Sequence, residues 1–158
     1  MSDEPSFTNA ERRGTVQHIA SRMKCVLANG ELCDINFSVG RDHGAEQIFR
    51  AHKFALSISS DVFYAMFHGS LAKSDVDVIQ IPEILPEAFA NMLCYIYTDS
   101  AENLKPENVL QTLYCADKYD LPWLADSCTS FVIEEIKPTN CLLLLENFCV
   151  DIALGARL

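Results

Sequence analysis

The sequence predicts an α+β fold, in which a small three-stranded sheet is flanked by a cluster of α-helices. Apolar residues recur with helical spacing before residue 30, and strand-like alternation appears at residues 34–39. Two further strand patterns follow before residue 82, and helical patterns continue from Pro86 to the end of the sequence. A helix, a small mixed sheet and then a series of helices is an α+β layout.

The first predicted element is an amphipathic helix over residues 9–28. Thr8 and Glu11 have the spacing of a capping box, in which a hydroxyl and a carboxylate satisfy free backbone N–H groups at a helix start. Asn29 and Gly30 end the helix. The polar residues 1–8 are expected to be disordered. The apolar positions at helical spacing are Val16, Ile19, Ala20, Met23 and Leu27.

Three strands are predicted for the sheet. Residues 34–39 alternate apolar and polar side chains, which is typical of a half-buried strand. Gly40 to Gly44 supplies a turn, and Ile48 with Phe49 suits a second strand, so that the two strands form a hairpin. Val76 to Ile81 is the third strand.

The remaining apolar residues predict helices. Residues 54–67 contain two short helices broken near Ser59. Further helices begin at about Pro86, Pro106, Pro122 and Pro138. A proline is tolerated in the first turn of a helix, because its missing N–H would have no partner there.

Charge and hydropathy exclude two classes of partner. The 158 residues include 22 acidic and 12 basic side chains, for a net charge of -10. Such a chain repels phosphate backbones, so no nucleic-acid partner is expected. No apolar run reaches the roughly 20 residues of a membrane helix, so no membrane partner is expected. The seven cysteines form no CxxC pair, which indicates a reduced compartment: the cytoplasm, with the nucleus as a second location.

The sequence predicts no catalytic residue, no metal and no cofactor. It contains no phosphate-binding glycine motif, and its four histidines share no i,i+3 or i,i+4 spacing. Cys94, Cys115 and Cys128 lie within predicted helices. A buried cysteine usually acts as a small apolar residue that fills the core, and these three are interpreted in that way.

Seven segments carry a resemblance to a known family. They are Asp34–Phe37, Ala51–Leu56, Val62–Phe67, Ile81–Pro82, Ala88–Phe89, Tyr95–Asp99 and Leu113–Leu124. In this order and spacing they resemble the BTB/POZ domain, a protein-interaction fold, over residues 15–135. Val62–Leu71 and Thr112–Leu124 are most similar to the BTB–BACK–PHR group.

The resemblance implies a division of the chain into a BTB/POZ domain at 9–135 and the start of a BACK domain at 136–158. Pro138 to Leu142 is similar to the beginning of that second domain, which is called a 3-box in families that bind cullin-3. The helix pattern ends abruptly near residue 150, so we expect a boundary inside a following helical domain.

The resemblance also implies a homodimer, in which the N-terminal helix packs on its twin. The implied interface residues are Val16, Ile19, Ala20, Met23, Leu27, Asp34 and Lys53. The alternative for the helix is that its apolar face folds back on its own core. Asp34 and Lys53 either form an ordinary ion pair or mark the charged floor of a groove near the dimer interface.

A third implication is a substrate adaptor that binds the N-terminal domain of cullin-3 in a RING-type ubiquitin ligase. The implied cullin-binding residues are Tyr64, Phe67, Leu71, Lys73, Tyr97, Asp99, Asn140 and Cys141. The family carries a hydrophobic-x-Glu motif where this sequence has Leu71-Ala72-Lys73. Leu71 supplies the apolar residue, whereas Lys73 reverses the charge, which puts the strength of the cullin contact in question. Asn140 and Cys141 could equally mark an ordinary helix start.

Three other functions compete with the adaptor. A dimerising scaffold or transcriptional module would bind a co-regulator peptide in its groove. A single-chain subunit similar to elongin C shares the core fold but lacks the long N-terminal helix that this sequence predicts. An enzyme would show one unusually reactive cysteine. A short chain of this kind could also form mixed dimers with longer relatives and dampen them.

Overall fold

The computed structural model describes residues 18–44, 46–70 and 77–135. Within these ranges it confirms the α+β fold, with six α-helices, one short 3₁₀ helix and a three-stranded sheet. The elements are α1 (Ile19–Asn29), β1 (Ile35–Val39), the 3₁₀ helix (Arg41–His43), β2 (Gln47–Ala51), α2 (Lys53–Ser59), α3 (Asp61–His68), β3 (Val78–Ile81), α4 (Pro86–Thr98), α5 (Val109–Lys118) and α6 (Pro122–Glu135). The predictions of a capping box, of disorder in residues 1–8 and of a helix after Pro138 fall on residues outside those described.

The sheet has the order β2-β1-β3, with β1 in the middle. β1 pairs antiparallel with β2, as the predicted hairpin requires, and parallel with β3. The expectation of a half-buried first strand is wrong. Ser38, which the alternating pattern assigns to the exposed face, is 3% exposed, and its hydroxyl donates to the Glu46 carboxylate. A central strand can be buried on both faces, so alternation alone gives a misleading prediction of its burial.

The core lies between β1 and the helices α3, α4 and α5. The rings of Phe37 and Phe89 are 5.2 Å apart, and the ring of Phe63 stacks on that of Tyr119 at 4.4 Å. All four side chains are at most 2% exposed. Burying an aromatic side chain of this size contributes about 1.5–3 kcal/mol relative to leaving it in water. These contacts tie the sheet to helices far along the chain.

Ser60 separates α2 from α3, which confirms the predicted break near this position. Its hydroxyl oxygen accepts from the backbone N–H of Phe63 at 3.2 Å and so caps α3. The same hydroxyl donates to the carbonyl oxygen of Tyr119 at 2.5 Å. The start of α3 is therefore fixed to the end of α5, 59 residues away in sequence.

Two of the three helix starts predicted at prolines within the described residues are correct. Pro86 and Pro122 are the first residues of α4 and α6, as expected. α5, however, begins at Val109, three residues after Pro106. The Val109 N–H donates to the Lys105 carbonyl at 2.9 Å, and the Asn108 side chain accepts from the Lys105 N–H at 2.9 Å. Pro106 thus lies in a turn that leads into the helix, because the Asn108 side chain holds that turn together.

Candidate protein-interaction surfaces

α1 rests on the domain by one side only. No side chain within Ile19–Asn29 is fully buried. Leu27 packs against the core, and the helix lies against α4. Ala20 and Met23 are half-buried, whereas Ile19 is 70% exposed. The helix therefore folds back on its own domain near Leu27 and leaves its beginning uncovered. Val16, the first predicted interface residue, lies outside the described residues.

α2 presents two large apolar side chains to solvent. Phe54 is 71% exposed and Ile58 is 69% exposed, and they lie one helical turn apart on the same side. Ala55 and Leu56, on the other side, are buried. The apolar pattern places Phe54, Leu56 and Ile58 in the first of two short helices and does not single out Phe54 and Ile58 as exposed. Their i,i+4 spacing, separate from Ala55 and Leu56, was the available signal.

Asp34 and Lys53 do meet, but not as an ion pair. The Asp34 carboxylate accepts from the backbone N–H of Lys53 at 2.7 Å, so it caps the first turn of α2. The Lys53 ammonium instead lies 5.9 Å from the centroid of the Phe67 ring. Among the ion pairs of the described residues, none joins Asp34 to Lys53. The predicted charge pair is corrected to a helix cap and a separate cation–π contact.

Tyr97 is an interior residue. It is 4% exposed, and its hydroxyl oxygen accepts from the backbone N–H of His52 at 2.9 Å. The same hydroxyl lies 2.7 Å from the His52 Nδ1, and the His52 Nε2 lies 2.6 Å from the carbonyl oxygen of Glu31. A carbonyl accepts, so Nε2 carries the proton, and Nδ1 accepts from the Tyr97 hydroxyl. This burial contradicts the assignment of Tyr97 to an outer cullin-binding surface.

The same histidine lies beside Cys33, as the base of a cysteine nucleophile would, but its protonation does not suit that role. The Cys33 Sγ lies 3.7 Å from the His52 Nε2. That nitrogen already carries a proton for the Glu31 carbonyl, so it has no lone pair with which to deprotonate the thiol. Burial, followed by the charge of Asp34, raises the pKa of the Cys33 thiol, although Arg50 opposes this. A raised pKa is the opposite of the activation that a catalytic thiol requires.

Of the three cysteines predicted to fill the core, two are core residues. Cys115 and Cys128 are fully buried, and Cys94 is half-buried on α4. Burial raises the pKa of Cys128 to about 12 and raises that of Cys115 as well. Among the described residues, no three His, Cys, Asp or Glu side chains are grouped closely enough to hold a metal ion. No helix in those ranges combines the length and apolar character that crossing a membrane requires.

Within the described residues, the accessible predicted cullin-binding residues lie on α3 and at the end of α4. Tyr64 is 56% exposed, and its ring lies 5.1 Å from that of His68. Phe67 is half-buried, with its ring parallel to Phe63 at 6.0 Å. Asp99 is exposed and ends α4 with a left-handed backbone. Leu71, Lys73, Asn140 and Cys141 lie outside the described residues.

Comparison with known proteins gives one consistent family. A family model described as the BTB/POZ domain matches residues 23–136. BTB/POZ domain-containing protein 3 of Homo sapiens is 38% identical over 138 residues, which is 87% of this chain and 26% of the relative. BTB/POZ domain-containing protein 6 of Homo sapiens is 41% identical over 123 residues, which is 77% of this chain and 22% of the relative.

A fish relative gives the same result. BTB/POZ domain-containing protein 6-A of Danio rerio is 40% identical over 129 residues, which is 82% of this chain and 23% of the relative. The chain thus spans about a quarter of the length of these curated relatives. The three-stranded mixed sheet, the surrounding helices and the match over residues 23–136 agree with one another. The chain belongs to the BTB/POZ domain family, whose members are non-catalytic protein-interaction modules that generally dimerise.

Proposed function

We propose that this chain acts as a homodimeric substrate adaptor that binds the N-terminal domain of cullin-3 in a RING-type ubiquitin ligase. The observation that carries the dimer is the exposure of Ile19, Phe54 and Ile58, each about 70% accessible on α1 or α2. Covering such side chains is worth about 1.5–3 kcal/mol each, so a second copy packed on them gains considerable free energy. Val16, Ala20 and Met23 extend the same proposed interface.

The proposed cullin-binding surface is centred on α3. Tyr64 offers an aromatic ring with a polar end, the kind of side chain that often dominates binding energy at protein interfaces. Asp99 adds an exposed carboxylate at the end of α4. Leu71, Lys73, Asn140 and Cys141 are proposed as further contacts from the segments outside the described residues. Tyr97 lies inside the domain, where its hydroxyl accepts from the backbone N–H of His52 at the start of α2.

An adaptor of this kind makes and breaks no bonds. It holds a substrate beside the ligase and so raises the local substrate concentration, and a dimer presents two such arms. We also propose that residues 136–158 begin a BACK domain of the BTB–BACK–PHR type, and that the protein acts in the cytoplasm and also in the nucleus.

The test is calorimetric titration of the chain with the N-terminal domain of cullin-3, with light scattering to measure the mass in solution. We expect a dimer mass and saturable binding. Tyr64→Glu should weaken binding at least tenfold, because it places a charge in the centre of the proposed contact. Tyr114→Glu is the matched control, since Tyr114 is also exposed, at 46%, but lies on α5. Equal losses for both variants, or no binding by a folded dimer, would contradict the adaptor.

A second candidate is a dimerising scaffold or transcriptional module that binds a co-regulator peptide. It is favoured by the reversed charge at Lys73, because the cullin-binding families that this sequence resembles carry a glutamate at that position. This function predicts a dimer that gives no heat with cullin-3 in the same titration. Restoring the acid with Lys73→Glu separates the two functions, because a gain of cullin binding would show that Lys73 alone had prevented it.

A further inference from the structure

A groove runs along the outer edge of β2. It has a volume of about 820 Å³, which is within the range of ligand-binding clefts. The end of α1 lines it through Leu27 and Gly30, β2 through Ile48 and Arg50, and α4 through Leu93. None of the residues proposed above for cullin binding lines it. Leu27 is the one predicted dimer-interface residue that lines it, beside Ala28 and Asn29 of the same helix.

The floor of this groove is a strand edge. In the sheet that the structure describes, β2 has β1 on one side and no strand on the other. Alternate backbone N–H and C=O groups of Gln47–Ala51 must therefore point away from the sheet. Ile48 is 56% exposed beside them. A chain in extended conformation is the partner that such a row of donors and acceptors fits, because it forms the same hydrogen bonds as another strand.

Arg50 is the one basic residue that lines the groove, and Glu31 is the one acidic residue. Arg50 lies two residues after Ile48 and so shares its face of β2. Gly30 has a left-handed backbone with φ +63, and a Cβ there would lie 3.3 Å from the Arg50 Cδ and 3.5 Å from its Nη1. The absence of that side chain lets Arg50 lie along the groove. Within the part of the chain that the structure describes, Arg50 joins none of the ion pairs, although the protein is strongly acidic.

We propose that this groove binds an extended acidic segment of a partner protein, which adds to β2 as a further strand. The backbone of the segment pairs with Gln47–Ala51, and a carboxylate on the segment meets the Arg50 guanidinium. A small apolar side chain of the segment fits against Leu27, Ala90 and Leu93. Helices α1 and α4 line the groove beside the strand edge, so it fits one isolated segment better than a second copy, whose edge carries the same helices.

The probe is a display library of random 12-residue peptides, selected on the intact chain and then on an Arg50→Glu variant. Peptides selected on the native chain should be enriched in Asp and Glu and should bind Arg50→Glu at least tenfold more weakly. Replacing their acids with lysine should restore binding to that variant. Arg41→Glu makes the same charge change outside the groove, at an arginine 64% exposed, and should leave binding unchanged. Amide hydrogen exchange of Gln47–Ala51 should slow at least tenfold when a selected peptide is added.

Several outcomes would overturn the proposal. One is a selection that enriches no acidic peptide, and another is peptides that bind the native chain and Arg50→Glu equally. Protection of Gln47–Ala51 that rises with protein concentration in the absence of peptide would assign the groove to a second copy. Protection that does not depend on concentration and is lost on removing residues 1–17 would assign it to the chain itself.

Discussion

The core and the surface formed by α2 and α3 contain residues of the same type in opposite environments. Phe63 is fully buried and stacks on Tyr119 at 4.4 Å, whereas Phe54, nine residues earlier, is 71% exposed. Tyr97 is enclosed, whereas Tyr64 is 56% exposed. The buried residues hold the sheet to α4 and α5. The exposed residues contribute little to the stability of this chain. Their apolar surface therefore remains available for contacts with other proteins.

Replacing one phenylalanine at a time tests this contrast most strongly. Phe63→Ala should lower the free energy of unfolding by about 3–5 kcal/mol, because it leaves a cavity beside Tyr119. Phe54→Ala should change it by less than about 0.5 kcal/mol at low protein concentration, since an exposed side chain loses few contacts. Urea unfolding measures both values. Similar losses for the two variants would mean that Phe54 packs within its own domain.

The same two variants separate stability from association. Light scattering should show that Phe54→Ala lowers the dimer mass at a concentration where the native chain remains dimeric. For a dimer, the measured stability also depends on protein concentration, so the comparison is made at two concentrations. A dimer that survives Phe54→Ala and Ile58→Ala together would remove α2 from the interface.

Tyrosine hydroxyls give a second, smaller test. Tyr97→Phe should destabilise the domain by about 1–3 kcal/mol, because it leaves the N–H and Nδ1 of His52 without their partner in a buried setting. Its affinity for cullin-3 should not change. Tyr64→Phe should behave in the opposite way, with unchanged stability and weaker binding. Thermal unfolding and calorimetric titration of both variants give the four values needed. A change of affinity in Tyr97→Phe at unchanged stability would restore its predicted role as a contact.

Local periodicity predicted the elements of this fold better than their burial. The α2–α3 break, the hairpin and the starts of α4 and α6 follow from spacing and from proline chemistry. The environment of Ser38 does not, because it depends on β3, which lies 42 residues later in sequence and makes β1 a central strand. The burial of a strand thus depends on which elements lie beside it in the folded domain.

The candidate sites were predictable only in part for the same reason. The amphipathic pattern predicts α1 but not that Ile19, on its apolar face, is 70% exposed. The sequence around Tyr97 does not distinguish a buried tyrosine from an exposed one. Nothing local shows that His52, 45 residues away in sequence, accepts a hydrogen bond from its hydroxyl. Likewise, Asp34 and Lys53 were predicted to be close, which is correct, but the closeness arises from a backbone N–H. Which atom makes a contact depends on the local path of the chain.

Asp34 and Lys53 provide a test of that distinction. Asp34→Ala should lower the free energy of unfolding by about 1 kcal/mol, because α2 loses its cap. Lys53→Met should change it far less. In the double variant the two effects should add to within about 0.3–0.5 kcal/mol, since the cap uses the Lys53 backbone and not its ammonium. A larger coupling energy in this double-mutant cycle would support an ion pair in solution.

The smallest expected effect is on the free energy of unfolding at alkaline pH, which should depend on interior thiols and not on surface thiols. The ordinary thiol pKa of 9.0 is raised to about 12 for the buried Cys128, first by burial and then by the charge of Asp117. The unfolded chain therefore releases this proton first, and the free energy of unfolding falls as the pH rises from about 9 towards 12. Urea unfolding at pH 7 and pH 10 should show a smaller loss in Cys128→Ala than in the native chain. Cys25→Ala, which alters an exposed thiol on α1 and leaves Cys128 in place, should keep the native dependence. An identical dependence in all three proteins would show that the buried thiol does not contribute to alkaline destabilisation.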